Sequence, residues 1–391
     1  MITQEQNERF TRVGPGTPGG ELLRRYWQPL CPAGELTAAN PKKRIRILGE
    51  NLLVFRDGSG RISCIEGHCP HRGAALYYGF LEEDGIRCCY HGWKFAPSGK
   101  CIDMPFEKGR DAFKERMSIK SYPVQKLGGL LFGYMGPDPA KAPLLPRWDV
   151  LVRVDGARNL RVFPDHHCNW LQIQENTADS THTVFLHGVM DQKLGTNHPF
   201  APYYRRPIDR LEWEFCEWGI DKTIYYGGDV PDVEVRPPLI FPNILRIPNG
   251  PAEVMHWRVP IDDTHTRIFF ASFLPSKDGT TMPEDADAPF EYLPEMKTPD
   301  GEYDLQSFFS QDQMAMESQG AIYDRSNEHL GASDRGIAMF RKQLDEQITR
   351  VEQGLDPNVA YIRDSVRNRI ISFDNATSPM DGLAKLRAAG E

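Results

Sequence analysis

The chain has 391 residues, 40 % of them hydrophobic, enough for two or three packed domains at about 100–200 residues each. Its net charge of −8 is spread along the sequence with no basic block, which argues against nucleic acid and anionic lipid as partners. No stretch approaches the roughly eighteen apolar residues of a membrane span, Met1–Arg9 lacks an apolar signal core, and eight cysteines without a disulfide-like framework fit a reducing compartment, so a cytoplasmic protein away from membranes is expected.

Residues 1–40 read as an N-terminal segment that packs on the core, with Gly14, Gly16, Gly19 and Gly20 leading into one short amphipathic helix at Glu21–Trp27. From 41 to 140 the pattern changes to short alternating runs, Arg44–Leu48, Leu52–Phe55, Arg61–Ile65, Gly85–Cys88 and Leu130–Met135, punctuated by Gly, Asn and Asp. Period-two strands this close together predict a small antiparallel β domain. Between its strands lie Cys69-Pro70-His71 and Cys88-Cys89-Tyr90-His91, each offering one thiolate and one imidazole. Two sulfur and two nitrogen donors are the mixed set that places cysteines on one iron and histidines on the other iron of a [2Fe–2S] centre. A Cys₂His₂ zinc knot needs the same donor types. Zinc fingers pair Cys with Cys and His with His along the chain, whereas each loop here carries one of each. Cys88 rather than Cys89 fits the Cys-x-x-His spacing, and His68 is off-pattern.

The Pro-rich break at 136–146 marks the expected start of a second domain, 141–375. Strand-like runs follow at 159–163, 211–215, 253–259 and 266–273, with residues 168–187 mostly helical and 275–303 a long surface excursion. Ile337, Phe340, Leu344, Ile348 and Val351 form one helical stripe, and 376–391 reads as a tail. Within the helical stretch, Asp179, His182 and His187 stand out. A regular helix would turn two histidines five residues apart about 140° away from each other, so they converge only if the helix distorts or ends between them. Incidental capping or packing roles are the plain alternative.

The segments His68-Cys-Pro-His-Arg-Gly-Ala-Ala-Leu76 and Cys88-Cys-Tyr-His-Gly-Trp-Lys-Phe95 resemble the Rieske non-haem iron oxygenases, and Asp-x-x-His-x-x-x-x-His at 179–187 matches that family's mononuclear iron motif. Cys89 departs from the pattern, since Pro is common there. The resemblance implies an α+β fold of a small antiparallel β Rieske domain plus a larger catalytic domain with an antiparallel sheet and helices of helix-grip type. It implies a [2Fe–2S] cluster on Cys69, His71, Cys88 and His91, and a mononuclear Fe(II) on His182, His187 and a late carboxylate, with O₂ as cosubstrate. Asp312, in Gln311-Asp-Gln-Met-Ala-Met-Glu317, is the expected third ligand, with Glu317 next and Asp324 and Asp334 as further candidates. Asp179 is expected on the same helical face as His182, orienting its imidazole and carrying electrons from a neighbouring subunit's cluster, which implies a homotrimer or hexamer.

The opening Gly16–Trp27 and the segment 311–338 look most like the phthalate dioxygenase and aryl O-demethylase branch. The implied function is that of a terminal oxygenase fed by a separate NAD(P)H-dependent reductase, directly or through a ferredoxin, and acting on a carboxylated aromatic by O-demethylation or hydroxylation. Cis-dihydroxylation is the alternative reaction, and a Rieske electron carrier the non-enzyme alternative. Arg205, Arg206 and Arg246, considered for a substrate carboxylate, read as surface charge pairs.

Overall fold

The computed structural model describes residues 2–196, 198–249, 252–373, 376–377 and 379–390. Its strands form a three-stranded antiparallel sheet of Gln28–Pro32, Leu130–Gly133 and Val124–Leu127, and two lobes. In the first, Lys42–Ile47, Glu50–Arg56, Ile62–Glu66 and Ser121–Tyr122 make one four-stranded antiparallel sheet, and Phe80–Glu82, Gly85–Arg87, Lys94–Phe95 and Cys101–Asp103 a second. The strand Glu50–Arg56 explains how they pack: successive side chains face opposite ways. Leu52 and Val54 enter the main core, while Leu53 and Phe55 enter a separate core with Ile65, Cys69, Leu76, Ile86, Cys88, Trp93 and Phe95.

The second lobe is an eight-stranded sheet, strand order Ile208–Cys216, Gly219–Tyr226, Asp232–Ile240, Ile244–Asn249, Ala252–Asp262, His265–Pro275, Gly156–Val162 and Phe290–Tyr292, antiparallel except for the last pair. Two long strands in its middle are buried on both faces. Met255, Trp257 and Val259 join the main core, whereas Val254, His256 and Arg258 point the other way, into a cavity. Helices Trp170–Ala178, Phe308–Glu317 and Arg335–Glu352 pack on this lobe, the last by Phe340, Leu344, Ile348 and Val351, as the sequence pattern predicts.

The main core runs without a break from Phe10 and Leu22 through Val54 and Leu131 to Trp170, Trp257 and Phe340, so the N-terminal segment and both lobes share it. A further helix, Gln4–Thr11, precedes the expected short one, which lies at Pro18–Leu23. Arg9 ties the first helix to Asp345 and Glu352 on the long C-terminal helix. The expected tail is instead a helix, Pro379–Gly390, whose Leu383 is buried against Tyr203 and Tyr226. Phe290–Tyr292 interrupts the 275–303 excursion and edges the sheet. Among the described residues no helix is long and apolar enough to cross a membrane.

Candidate functional site

The two Cys/His loops are built alike. Cys69 N–H donates to the Ala74 carbonyl at 2.8 Å and Gly73 N–H to the Cys69 carbonyl at 2.9 Å; Cys88 N–H donates to the Trp93 carbonyl at 2.8 Å and Gly92 N–H to the Cys88 carbonyl at 3.0 Å. Gly73 and Gly92 both sit at φ 74°, the left-handed region that closes such a turn and that side chains avoid. The result places both thiols in the lobe's core and both imidazoles at its rim, their ring centres 4.5 Å apart, with Trp93 stacked on His71 at 4.6 Å. Burial, partly opposed by the His71 backbone N–H and reinforced by Cys88, pushes the Cys69 thiol up to about 12. A metal takes up such buried thiols by displacing their protons. Cys89 and His68 face solvent, outside this arrangement.

In the second lobe, the helix Trp170–Ala178 ends at Asp179, and the chain resumes as a π-helical turn, Thr183–Val189. Its i→i+5 pattern brings residues five apart onto one face, which resolves the spacing problem of His182 and His187. Asp179 therefore does not share a helix with His182, contrary to expectation. It reaches the same place by a tight turn, with Oδ1 accepting from the Thr181 N–H (2.7 Å) and hydroxyl (2.8 Å), and Oδ2 lying 3.2 Å from both the His182 N–H and its ring Nδ1.

Asp312, on the helix Phe308–Glu317, lies with Oδ1 3.2 Å from His187 Nε2 and 3.8 Å from His182 Nε2. Among the described residues, His182, His187 and Asp312 are the one group of three such donors whose ligand atoms all fall within 4.8 Å. Two imidazoles and one carboxylate on one face suit non-haem Fe(II) with positions left open.

Neighbouring side chains fix these three donors. The Gln311 amide N–H donates to the Leu305 carbonyl at 2.8 Å, so its oxygen accepts from His187 Nδ1 at 2.9 Å and leaves Nε2 free for a metal. Phe308 stacks on His187 at 4.7 Å, and Asn176 Nδ2 makes a long 3.4 Å contact with Asp312 Oδ1. Burial pushes the Asp312 carboxyl up, but His187, His182 and Arg258 outweigh it and hold the group below its ordinary value. Glu317, Asp324 and Asp334 are engaged elsewhere. Glu317 accepts from the His167 N–H, Gln313 and Tyr303, and the other two cap short turns.

The triad opens into a cavity of about 410 Å³ with aromatic walls from Phe163, Trp213, Phe270, Phe308 and Phe309. Its lining includes basic side chains that escape the sequence reading, among them Arg161, Lys222, Arg236, His256 and Arg258. Period-two placement on predicted strands would have been the only signal for His256 and Arg258. Arg246 and Arg206 are buried rather than surface charges: Arg246 is held by Asp149 at 2.9 Å and Glu253 at 2.6 Å, and Arg206 by Asp232 at 3.3 Å between Tyr203 and Tyr226.

Residues 26–123 match the Rieske [2Fe-2S] domain, and residues 290–382 match the domain described as LigXa C-terminal domain like. The 5,5'-dehydrodivanillate O-demethylase oxygenase subunit of Sphingobium sp. (strain NBRC 103272 / SYK-6) is 38 % identical over 95 % of this chain and 86 % of its own length. The phenoxybenzoate dioxygenase subunit alpha of Ectopseudomonas oleovorans is 36 % identical over 89 % of this chain and 86 % of its own. Among solved structures, the oxygenase in an oxygenase and ferredoxin complex of carbazole 1,9a-dioxygenase superposes with a TM-score of 0.57 at 19 % identity, covering 94 % of this chain and 98 % of that one. With a Rieske domain ahead of the eight-stranded lobe, and full-length likeness to oxygenase subunits well above 30 % identity, the chain belongs to the Rieske non-haem iron oxygenases as a terminal oxygenase subunit.

Proposed function

We propose that this subunit removes an O-methyl group from, or hydroxylates, an aromatic acid, using O₂ and electrons from a separate NAD(P)H-dependent reductase, directly or through a ferredoxin. One observation carries the reading: the His182, His187 and Asp312 donors face a cavity whose volume and aromatic walls suit a substituted ring. The names of the two relatives supply the substrate class, since dehydrodivanillate and phenoxybenzoate are both aromatic acids. The solved oxygenase and ferredoxin complex supports a separate electron-transfer partner.

On this reading Cys69, His71, Cys88 and His91 hold the cluster, and His182, His187 and Asp312 hold the iron. When bound, the cluster supplies single electrons and the iron activates O₂ beside the substrate. The chain's own part is orientation. Gln311 and Asp179 accept from the outer nitrogens of His187 and His182 and so fix the tautomer that turns Nε2 toward the metal. The aromatic walls exclude water and hold the ring against that face. Asp179 would also meet His91 of the partner subunit in a trimer or hexamer. The half-exposed His71 and His91, with exposed Tyr90 next to His91 and exposed Phe106 following the Pro105 that approaches Gly92, offer the docking surface this requires.

Cis-dihydroxylation is the second reading, favoured by the relative named as a dioxygenase. A screen of benzoates, methoxybenzoates and phenoxybenzoates with a surrogate reductase under ¹⁸O₂ separates the two. Formaldehyde with a phenol supports demethylation, and a doubly labelled cis-diol supports dihydroxylation. The phenol formed by demethylation keeps the substrate's own oxygen, so absence of formaldehyde, of a labelled hydroxylated ring and of a labelled cis-diol from every compound would sink both.

A further inference from the structure

The cations that line the cavity are not equivalent. Arg236 Nε lies 2.7 Å from the Glu234 carboxylate, Arg246 is held by Asp149 and Glu253, and Arg161 Nε lies 2.6 Å from Glu291. Lys222 gives its ammonium to the Thr177 carbonyl at 2.7 Å, and burial pulls it down to about 7. Arg258 differs from these other arginines in having no carboxylate within ion-pair distance among the described residues. It is 4 % exposed, its Nη1 meets the neutral amide oxygen of Gln174 at 3.2 Å, and its Nε, like Nε of Arg236 and of Arg246, has no hydrogen-bond partner. Two residues away on the same strand face, His256 is 5 % exposed and its Nε2 is likewise without a partner. Burial, with Arg258 beside it, pulls that imidazole down to about 3, so it is neutral and can donate only as the Nε2–H tautomer.

Asp312 attracts Arg258 from beyond ion-pair distance, but a buried guanidinium with no carboxylate in direct contact is costly, and a pair of buried donors lining a cavity calls for a ligand that brings acceptors and negative charge. We infer that Arg258, with His256 beside it, is the seat of the substrate's carboxylate, and that this chain selects anionic aromatics over their neutral counterparts by filling that seat. The inference rests on the proposed reading of the cavity as the substrate site and deepens it. Arg236 cannot play the same part at equal strength, because Glu234 already neutralises it and is itself held by the hydroxyls of Tyr203 (2.6 Å) and Tyr226 (2.8 Å).

The test is equilibrium binding to the iron-loaded, reduced protein without O₂, by calorimetry and by quenching of tryptophan emission, for which Trp213 in the cavity wall is a built-in reporter. The probes are matched pairs: benzoate against benzamide and 3-phenoxybenzoate against 3-phenoxybenzamide. The wild-type protein should bind each acid at least tenfold tighter than its amide. Arg258→Gln should reduce that ratio to within about twofold by weakening the acid alone, and Arg258→Lys should restore part of it. Iron content and the visible spectrum are measured on each variant, so that a folding or metal defect is recognised, and Arg258→Lys then carries the comparison. Full discrimination in an iron-loaded Arg258→Gln protein overturns the inference alone, as does loss of discrimination in Arg236→Gln with Arg258 intact. Failure of every acid and amide to bind the wild-type protein overturns it together with the proposed function.

Discussion

The two metal-type sites of this chain reach the same end by opposite routes. The cluster loops are local: each closes on itself through two backbone hydrogen bonds and a left-handed glycine, and the pair needs only two neighbouring hairpins to meet. The cavity site is assembled over distance, from a distorted helix at 183–189 and a second helix at 308–317, and its imidazoles are held by Gln311, Asp179 and Phe308. The first places its imidazoles at a rim where a partner can approach, while the second is sheltered beneath aromatic walls. A site that exchanges electrons with other proteins tolerates the surface, and one that activates O₂ gains from excluding water.

That contrast makes the two centres separable by mutation. The largest effect is expected from His182→Ala, which should lose the mononuclear iron and drop turnover to background while leaving the visible spectrum of the cluster unchanged; loss of that spectrum would show the centres to be folded as one unit. Asp179→Asn should retain both metals by elemental analysis yet lose more than the roughly 10–100-fold typical of a residue that merely orients a ligand. Near-normal turnover in that variant would leave Asp179 a simple support for His182. Gln311→Leu should weaken iron binding by about 10–100-fold, read by chelator competition, with no change in the cluster.

The smallest effects test the local route. Gly73→Ala and Gly92→Ala each force a side chain into left-handed backbone, at about 1–2 kcal/mol. A methyl at Gly92 would also meet Pro105 Cγ at 2.8 Å, whereas at Gly73 nothing lies within 4 Å. Thermal bleaching of the cluster should therefore come earlier in Gly92→Ala than in Gly73→Ala, and equal midpoints would mean that Pro105 yields.

Sequence alone carried the local site well and the assembled one in part. The Cys/His loops are contiguous motifs, so their residues could be read directly. His182 and His187 could be paired only through a resemblance, because the π-helical turn that joins them has no sequence signal of its own. Asp312 was reached in the same way. Arg258 and His256 escaped notice because the alternation of Met255-His-Trp-Arg-Val259 marks a polar face of the strand without telling a buried cavity from solvent. The strand Asp232–Ile240 has no counterpart in the sequence reading, and it contains Pro237 and Pro238. They occupy a register shift against Gly219–Tyr226, where a missing N–H is tolerated. Buried Arg206 and Arg246 looked like surface charges because their carboxylate partners lie on other elements.

The π-helical turn has one more consequence. Removing a single residue from it, such as Phe185 with its ring 73 % exposed, would leave an ordinary helix in which the two histidines stand four apart and still share a face. Counting residues between ligands is thus a poor guide to whether two side chains can grip one atom. The pitch of the backbone absorbs the difference, so a shortened loop of this kind could keep its grip.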